Sequence, residues 1–205
     1  MKKALIVVDM QNDFMPTGSL PVKESDELTQ LINQLMPRFD LVVASQDWHP
    51  ADHGSFASQY PGKKPGETVI LDGLEQILWP PHCIQETKGA EFVEGLEVKK
   101  ISHVFHKGIH KNVDSYSAFY DNEHRHATGL GRFLKAQKVT DVYLVGVATD
   151  YCVKYSALDA CALRLRTHVI IDACRGVELK QGDVERAIGE MNQAGARIVT
   201  HRHML

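Results

Sequence analysis

The chain carries no large surplus of charge of either sign. Its 23 Lys and Arg face 26 Asp and Glu, a formal net charge of −3. No basic excess points to nucleic acid or to an anionic lipid surface. Long hydrophobic runs are missing as well. Nowhere do about 18 apolar residues follow one another, so no membrane span is expected. The apolar run Ala4–Val8 stops at Asp9, too short for the core of a secretory signal. Cysteine is scarce. Cys83, Cys152, Cys161 and Cys174 form no C-x-x-C pair, which argues against a zinc ribbon or a thioredoxin-type dithiol. A chain of 205 residues can bury roughly 70% of its unfolded surface without disulfides. The expectation is a reduced, cytoplasmic protein. The plentiful residue is histidine, with 11 copies, which raises the question of metal or proton chemistry.

Apolar runs alternate with helical patterns. Ala4–Val8 reads as a strand buried on both faces. Leu28, Leu31, Ile32, Leu35 and Met36 mark one helix face, and Pro37 closes it. Leu41–Ala44, Val104–Phe105, Val142–Val145, Val169–Ile171 and Arg197–Thr200 read as further strands. Leu130–Leu134, Asp150–Leu163 and Val184–Met191 read as helices, the last with Gly195 at its C-cap. This alternation predicts a doubly wound, Rossmann-like α/β fold: a mainly parallel six-stranded sheet with helices on both faces. One domain, 1–205, is expected. An insertion at about 48–102, rich in Pro, Gly and His, is expected to lie over one end of the sheet.

Ligands bind beyond the carboxyl ends of such strands. There stand Asp9, then Asp47 and His49, then His106 and Lys107, then Thr149, Asp150 and Cys152, then Asp172 and Cys174. Cys152 falls in the first turn of a helix with Thr149 as candidate N-cap, where free amides and the helix dipole favour a thiolate. Most cysteines are buried small hydrophobes, and Cys83, Cys161 and Cys174 are read that way. No histidine lies near Cys152 in sequence. Asp9, kept ionised by Lys107, is the candidate base, and the amides of Ala148 and Cys152 are the candidate oxyanion hole. Asp47 and His49, with His53 and His82, form a candidate site for a divalent transition metal. The remaining histidines read as ordinary surface residues, with His106 left open.

The segments Asp9-Met10-Gln11-Asn12-Asp13-Phe14, Ser45-Gln46-Asp47-Trp48-His49-Pro50, Trp79-Pro80-Pro81-His82-Cys83, His106-Lys107-Gly108, Asp114-Ser115-Tyr116-Ser117-Ala118-Phe119 and Gly146–Val153 resemble the motifs of nicotinamidases, within the isochorismatase-like cysteine hydrolases. The resemblance spans Asp9 to about Gly176. It implies a triad of Asp9, Lys107 and Cys152 and a metal held by Asp47, His49 and His82, with zinc the first choice and iron or manganese the alternatives. His53 matches a position that is a ligand in some members and a neighbour in others. Phe14 and Trp79 match walls of the substrate pocket, with Tyr116 nearby, and the Val147–Ala148 peptide matches one that is cis. The implied reaction converts nicotinamide to nicotinate and ammonia through a cysteine thioester, in NAD salvage, with the metal orienting the pyridine ring. The implied partner is this small substrate, with no nucleic acid or membrane; a homo-oligomer and activity on pyrazine amides are left open.

Three rival readings stand beside it. Another small amide or carbamoyl hydrolase of the superfamily shares the triad but does not need the metal set. A scaffold protein on this fold is expected to have lost a triad member, and none is missing. A structural zinc site requires a closed tetrahedral shell.

Overall fold

Successive side chains of a strand point to opposite faces, and in β1 (Lys2–Val8) both faces are apolar. Leu5 and Val7 enter one hydrophobic cluster, while Ala4, Ile6 and Val8 enter the other. A strand covered twice belongs at the centre of a sheet, and β1 is central. The computed structural model describes residues 1–203. It contains α1 (Leu28–Leu35), β2 (Leu41–Asp47), the short strands β3 (Thr68–Leu71) and β4 (Leu74–Ile77), and β5 (His103–Lys107). Then follow α2 (Leu130–Ala136), β6 (Val139–Val147), α3 (Lys154–Ala162), β7 (Arg166–Arg175), α4 (Asp183–Gln193) and β8 (Arg197–Val199).

The main sheet has the order β5-β2-β1-β6-β7-β8, and each pairing is parallel. Parallel neighbours need crossovers, and the helices supply them on both faces. Leu28, Ile32 and Leu35 of α1 join Leu5, Val7 and Val145 on one side. Leu130 and Leu134 of α2, Ala157 and Ala160 of α3 and Met191 of α4 join Ile6, Val142 and Leu144 on the other. The expected doubly wound architecture is the observed one, with a sheet more uniformly parallel than anticipated.

The 48–102 insertion contains an antiparallel hairpin of β3 and β4. Two local expectations need correction. The Asp150 helix does not begin as an α-helix capped by Thr149. Ala148 is the extended residue before the turn, no side chain caps it, and Val153 N–H reaches Ala148 O in a wide π-type turn that leads into α3. The fifth strand runs on to Arg175, so Asp172 and Cys174 lie within β7. Asp172 accepts the backbone N–H of His201 and pairs with its ring, and Cys174 is buried in the second cluster. Neither joins the polar set at the strand ends.

Candidate active site and metal centre

The carboxyl ends of β1, β2, β5 and β6 converge on a buried polar cluster. Asp9 follows β1 in a left-handed conformation (φ 49°), which turns its carboxylate back over the sheet edge. Gly146, near the end of β6, is held at φ 112°, and a Cβ there would lie 2.1 Å from Val8 O. The close approach of β1 and β6 beneath the site therefore requires glycine.

Lys107, fully buried at the end of β5, is the hub. Its Nζ donates to Asp47 Oδ1 (2.5 Å), to Ser115 O (3.0 Å) and to Cys152 Sγ (3.3 Å). Asp9 Oδ2 stands 2.9 Å away as an ion-pair partner. Asp9 Oδ1 accepts Ser45 Oγ–H at 2.7 Å. One oxygen of Asp9 thus faces a hydroxyl and the other the ammonium. Asp9, Asp47 and Cys152 bring one polar atom each within 4.8 Å of one another.

Burial pushes the Asp9 carboxyl up; Lys107 pulls it down, Asp47 adds to the rise, and the net direction is upward. Burial also opposes ionisation of Asp47, but Lys107 and the two histidines beside it outweigh that and hold it well below the usual range. Burial works against the Lys107 charge too, and Asp47 and Asp9 overturn it, so the ammonium is firmly retained. The Cys152 thiol goes up. Burial raises it, Lys107 opposes, and Asp9 and Asp47 add to the rise. One expectation is corrected here: the helix start does not lower the Cys152 thiol, because full burial outweighs it. Lys107 pulls the Asp9 carboxyl down, as expected, against the rise that burial causes.

Next to this cluster lie Asp47, His49 and His82, each buried and each able to offer an atom to one ion. Asp47 Oδ2 is 3.7 Å from His49 Nε2 and 3.7 Å from His82 Nε2. Nδ1 of His49 meets Gly108 O at 2.9 Å, and Nδ1 of His82 meets Pro80 O at 2.8 Å. A carbonyl only accepts, so each Nδ1 carries a proton and each Nε2 is the ring atom that faces Asp47, the atom a metal-binding histidine offers to an ion. Gly108 is fixed by this contact, since a Cβ on it would meet the His49 ring at 2.3 Å. The donor set therefore suits a divalent ion.

His53 is placed differently. Its nearest candidate ligand group is His49 and Asp114, not Asp47 and His82. Its Nδ1 meets Ser55 Oγ at 2.7 Å, its Nε2 has no hydrogen-bond partner, and burial drives its pKa down to about 4. His106 sits on the outward face of β5, stacked on Trp48 at 4.5 Å.

A pocket opens onto Cys152 and Ala148 and is walled by Phe14, Trp79 and Tyr116, as well as by Tyr151, Asp114, Asp47 and His82. Trp79 Nε1–H donates to Tyr116 Oη at 3.2 Å, and the Trp79 and Tyr151 rings meet edge to face at 4.9 Å. Tyr151, Ser45 and the Ser115 carbonyl were not singled out from sequence, although each adjoins a residue or motif that was. The Val147–Ala148 peptide is cis.

A parallel sheet with this cluster at its carboxyl edge is the setting of a cysteine hydrolase, and the chain belongs to the isochorismatase family, whose domain model matches residues 3–203. Within it, the chain is similar to the nicotinamidase of Escherichia coli, 46% identical over 202 residues that cover 97% of this chain and 94% of that one. It is similar to a solved nicotinamidase/pyrazinamidase from Acinetobacter baumannii, with a TM-score of 0.96, 46% identity and coverage of 100% and 98%. A third similar structure is a pyrazinamidase of Pyrococcus horikoshii in complex with zinc, with a TM-score of 0.78, 37% identity and coverage of 98% and 99%. Among the described residues, no helix is long and apolar enough to cross a membrane.

Proposed function

We propose that the protein is a nicotinamidase, hydrolysing nicotinamide to nicotinate and ammonia in NAD salvage, with Cys152 as nucleophile. The observation that carries the mechanism is the buried cluster in which a carboxylate oxygen of Asp9 and Cys152 Sγ lie within 4.8 Å of each other, both in reach of Lys107. A carboxyl group displaced upward is a stronger base than an ordinary carboxylate, and it matches a thiol that rests protonated. Asp9 takes the thiol proton as Sγ attacks the amide carbon. Lys107, in reach of Sγ, Asp9 and Asp47, offsets the negative charge that this transfer moves. The amides of Ala148 and Cys152, at the start of the turn, receive the developing oxyanion. The C–N bond breaks, Asp9 returns its proton to the departing ammonia, and a thioester remains. Water, deprotonated by Asp9, hydrolyses the thioester and frees Cys152 as the thiol.

Asp47, His49 and His82 are the residues that hold a divalent ion, zinc first, with iron or manganese as alternatives. Such an ion would supply Lewis acidity and an orienting contact for a ligand nitrogen. His53 belongs to the surroundings of this centre and not to its ligands. Phe14, Trp79 and Tyr116 enclose an aromatic ring. One domain, with the 48–102 insertion supplying Trp79 and His82 to the pocket, and a cytoplasmic location complete the reading; the four cysteines are all free thiols.

The test is ammonia release from nicotinamide, before and after chelation. Parent protein turns over, chelated protein loses activity, and Cys152→Ala falls by roughly 10⁴-fold or more while still binding nicotinamide. Retained turnover in Cys152→Ala overturns the nucleophile assignment. No ammonia from nicotinamide, with release from another small amide, overturns the substrate.

A further inference from the structure

The strands β1 and β2 pair in register from Ala4 opposite Leu41 to Val8 opposite Ser45. Asp9 then turns out of the sheet, and its amide makes a last contact to Ser45 O at 3.3 Å. Strand β2 continues for two more residues, Gln46 and Asp47, with β5 on its other edge. The Asp47 N–H and C=O on the β1 side have therefore lost the strand that should satisfy them. The side chain of Gln11, fully buried, takes its place. Gln11 Oε1 accepts Asp47 N–H at 2.9 Å, and Gln11 Nε2 donates to Asp47 O at 2.8 Å and to Ala90 O at 2.9 Å. One planar amide meets both backbone groups of one residue, the two-bond exchange otherwise made by a hydrogen-bonded antiparallel pair.

Asp47 has an exacting task. One carboxylate oxygen contacts Lys107 and the other faces both histidine Nε2 atoms. We infer that Gln11 is a positioning residue for the metal centre: its amide clamps the Asp47 backbone beyond the end of β1 and so sets where the carboxylate lies between Lys107 and the histidines. The inference rests on the reading of Asp47, His49 and His82 as the metal ligands. Gln46 provides an internal comparison. It is buried beside Asp47 and its Nε2 donates to the same Ala90 O at 2.9 Å, but its side chain makes no bond to the Asp47 backbone.

The experiment titrates zinc into apoprotein against a chromophoric chelator, with thermal melting and circular dichroism alongside. Gln11→Met keeps the length and loses all three bonds. Gln11→Glu keeps the acceptor and loses both donors. Both are expected to weaken zinc binding about 10- to 100-fold, the usual consequence of removing a group that orients a metal ligand. Gln46→Met is expected to stay within about twofold of the parent, as expected where no ligand is disturbed. Parent-like affinity in a folded Gln11 variant overturns the inference, as does an equal loss in Gln46→Met, which would mark a general packing effect. The double variant His49→Ala/His82→Ala separates the two readings. If it binds zinc like the parent, the assignment of the metal ligands falls. If it loses zinc while the Gln11 variants do not, only the role of Gln11 falls.

Discussion

Asp9 and Asp141 lie at opposite ends of neighbouring strands, each beside a basic side chain, and their ionisation moves in opposite directions. Asp141, near the start of β6, is gripped by Arg166 at the start of β7. Nε donates to Oδ1 at 2.7 Å and Nη2 to Oδ2 at 2.6 Å. Arg166 is half exposed, so its charge costs little desolvation, and its hydrogen bonds hold the Asp141 carboxyl down to about 2. Asp9 and Lys107 are both enclosed, and burial drives Asp9 upward although Lys107 pulls it down. Proximity of opposite charge does not by itself decide ionisation. Access to water decides it here. The Asp141 end is built for stability and the Asp9 end for reactivity.

The comparison breaks most sharply at Asp9. Asp9→Asn is expected to lower turnover by roughly 10²- to 10⁴-fold, the range for a lost general base. It leaves the melting temperature unchanged or higher, because an ionised Asp9 is costly to bury. A clear fall in melting temperature would place Asp9 in the same class as Asp141. Next comes Lys107→Met, which leaves Asp9 and Asp47 facing each other without their shared cation. A loss of about 3–5 kcal/mol of stability is expected, read by denaturant unfolding. A loss under about 1 kcal/mol would mean that the pair behaves as a surface pair. The smallest effect is at Asp141, where Asp141→Asn is expected to cost about 0.2–1 kcal/mol, since the arginine is solvated. The folded pKa, about 2, lies below the ordinary 3.8, so this contribution is present above about pH 3.8 and is lost as the pH falls from there toward about 2. Acid titration of Asp141→Asn against the parent should therefore show the gap closing across that window. A gap that widens on acidification would refute the pairing.

Much of the fold was legible because apolar runs announce strands that are covered on both faces. Ala4–Val8 and Val142–Val145 read directly as such strands. The β3–β4 hairpin was missed because its strands are short and half exposed, although Asp72-Gly73 between Leu71 and Leu74 is a hairpin signal, and both residues take positive φ. At the site, strand-end position together with the motif resemblance pointed to Asp9, Lys107, Cys152, Asp47, His49 and His82. Gln11 stood within a recognised motif, yet nothing local ties it to Asp47, which is 36 residues away. The four-way contact of Lys107 and the separation of His53 from Asp47 and His82 were equally out of reach.

Sequence by itself determined the strand order of chemistry along the chain and the kinds of donors brought to one sheet edge, because periodicity and spacing are local properties. Tertiary structure decided the protonation pattern: a thiol that rests protonated, a base displaced upward, and an aspartate held ionised between a lysine and two histidines. The physical reason is that desolvation arises from every element packed around a group, and those elements meet only in the folded chain.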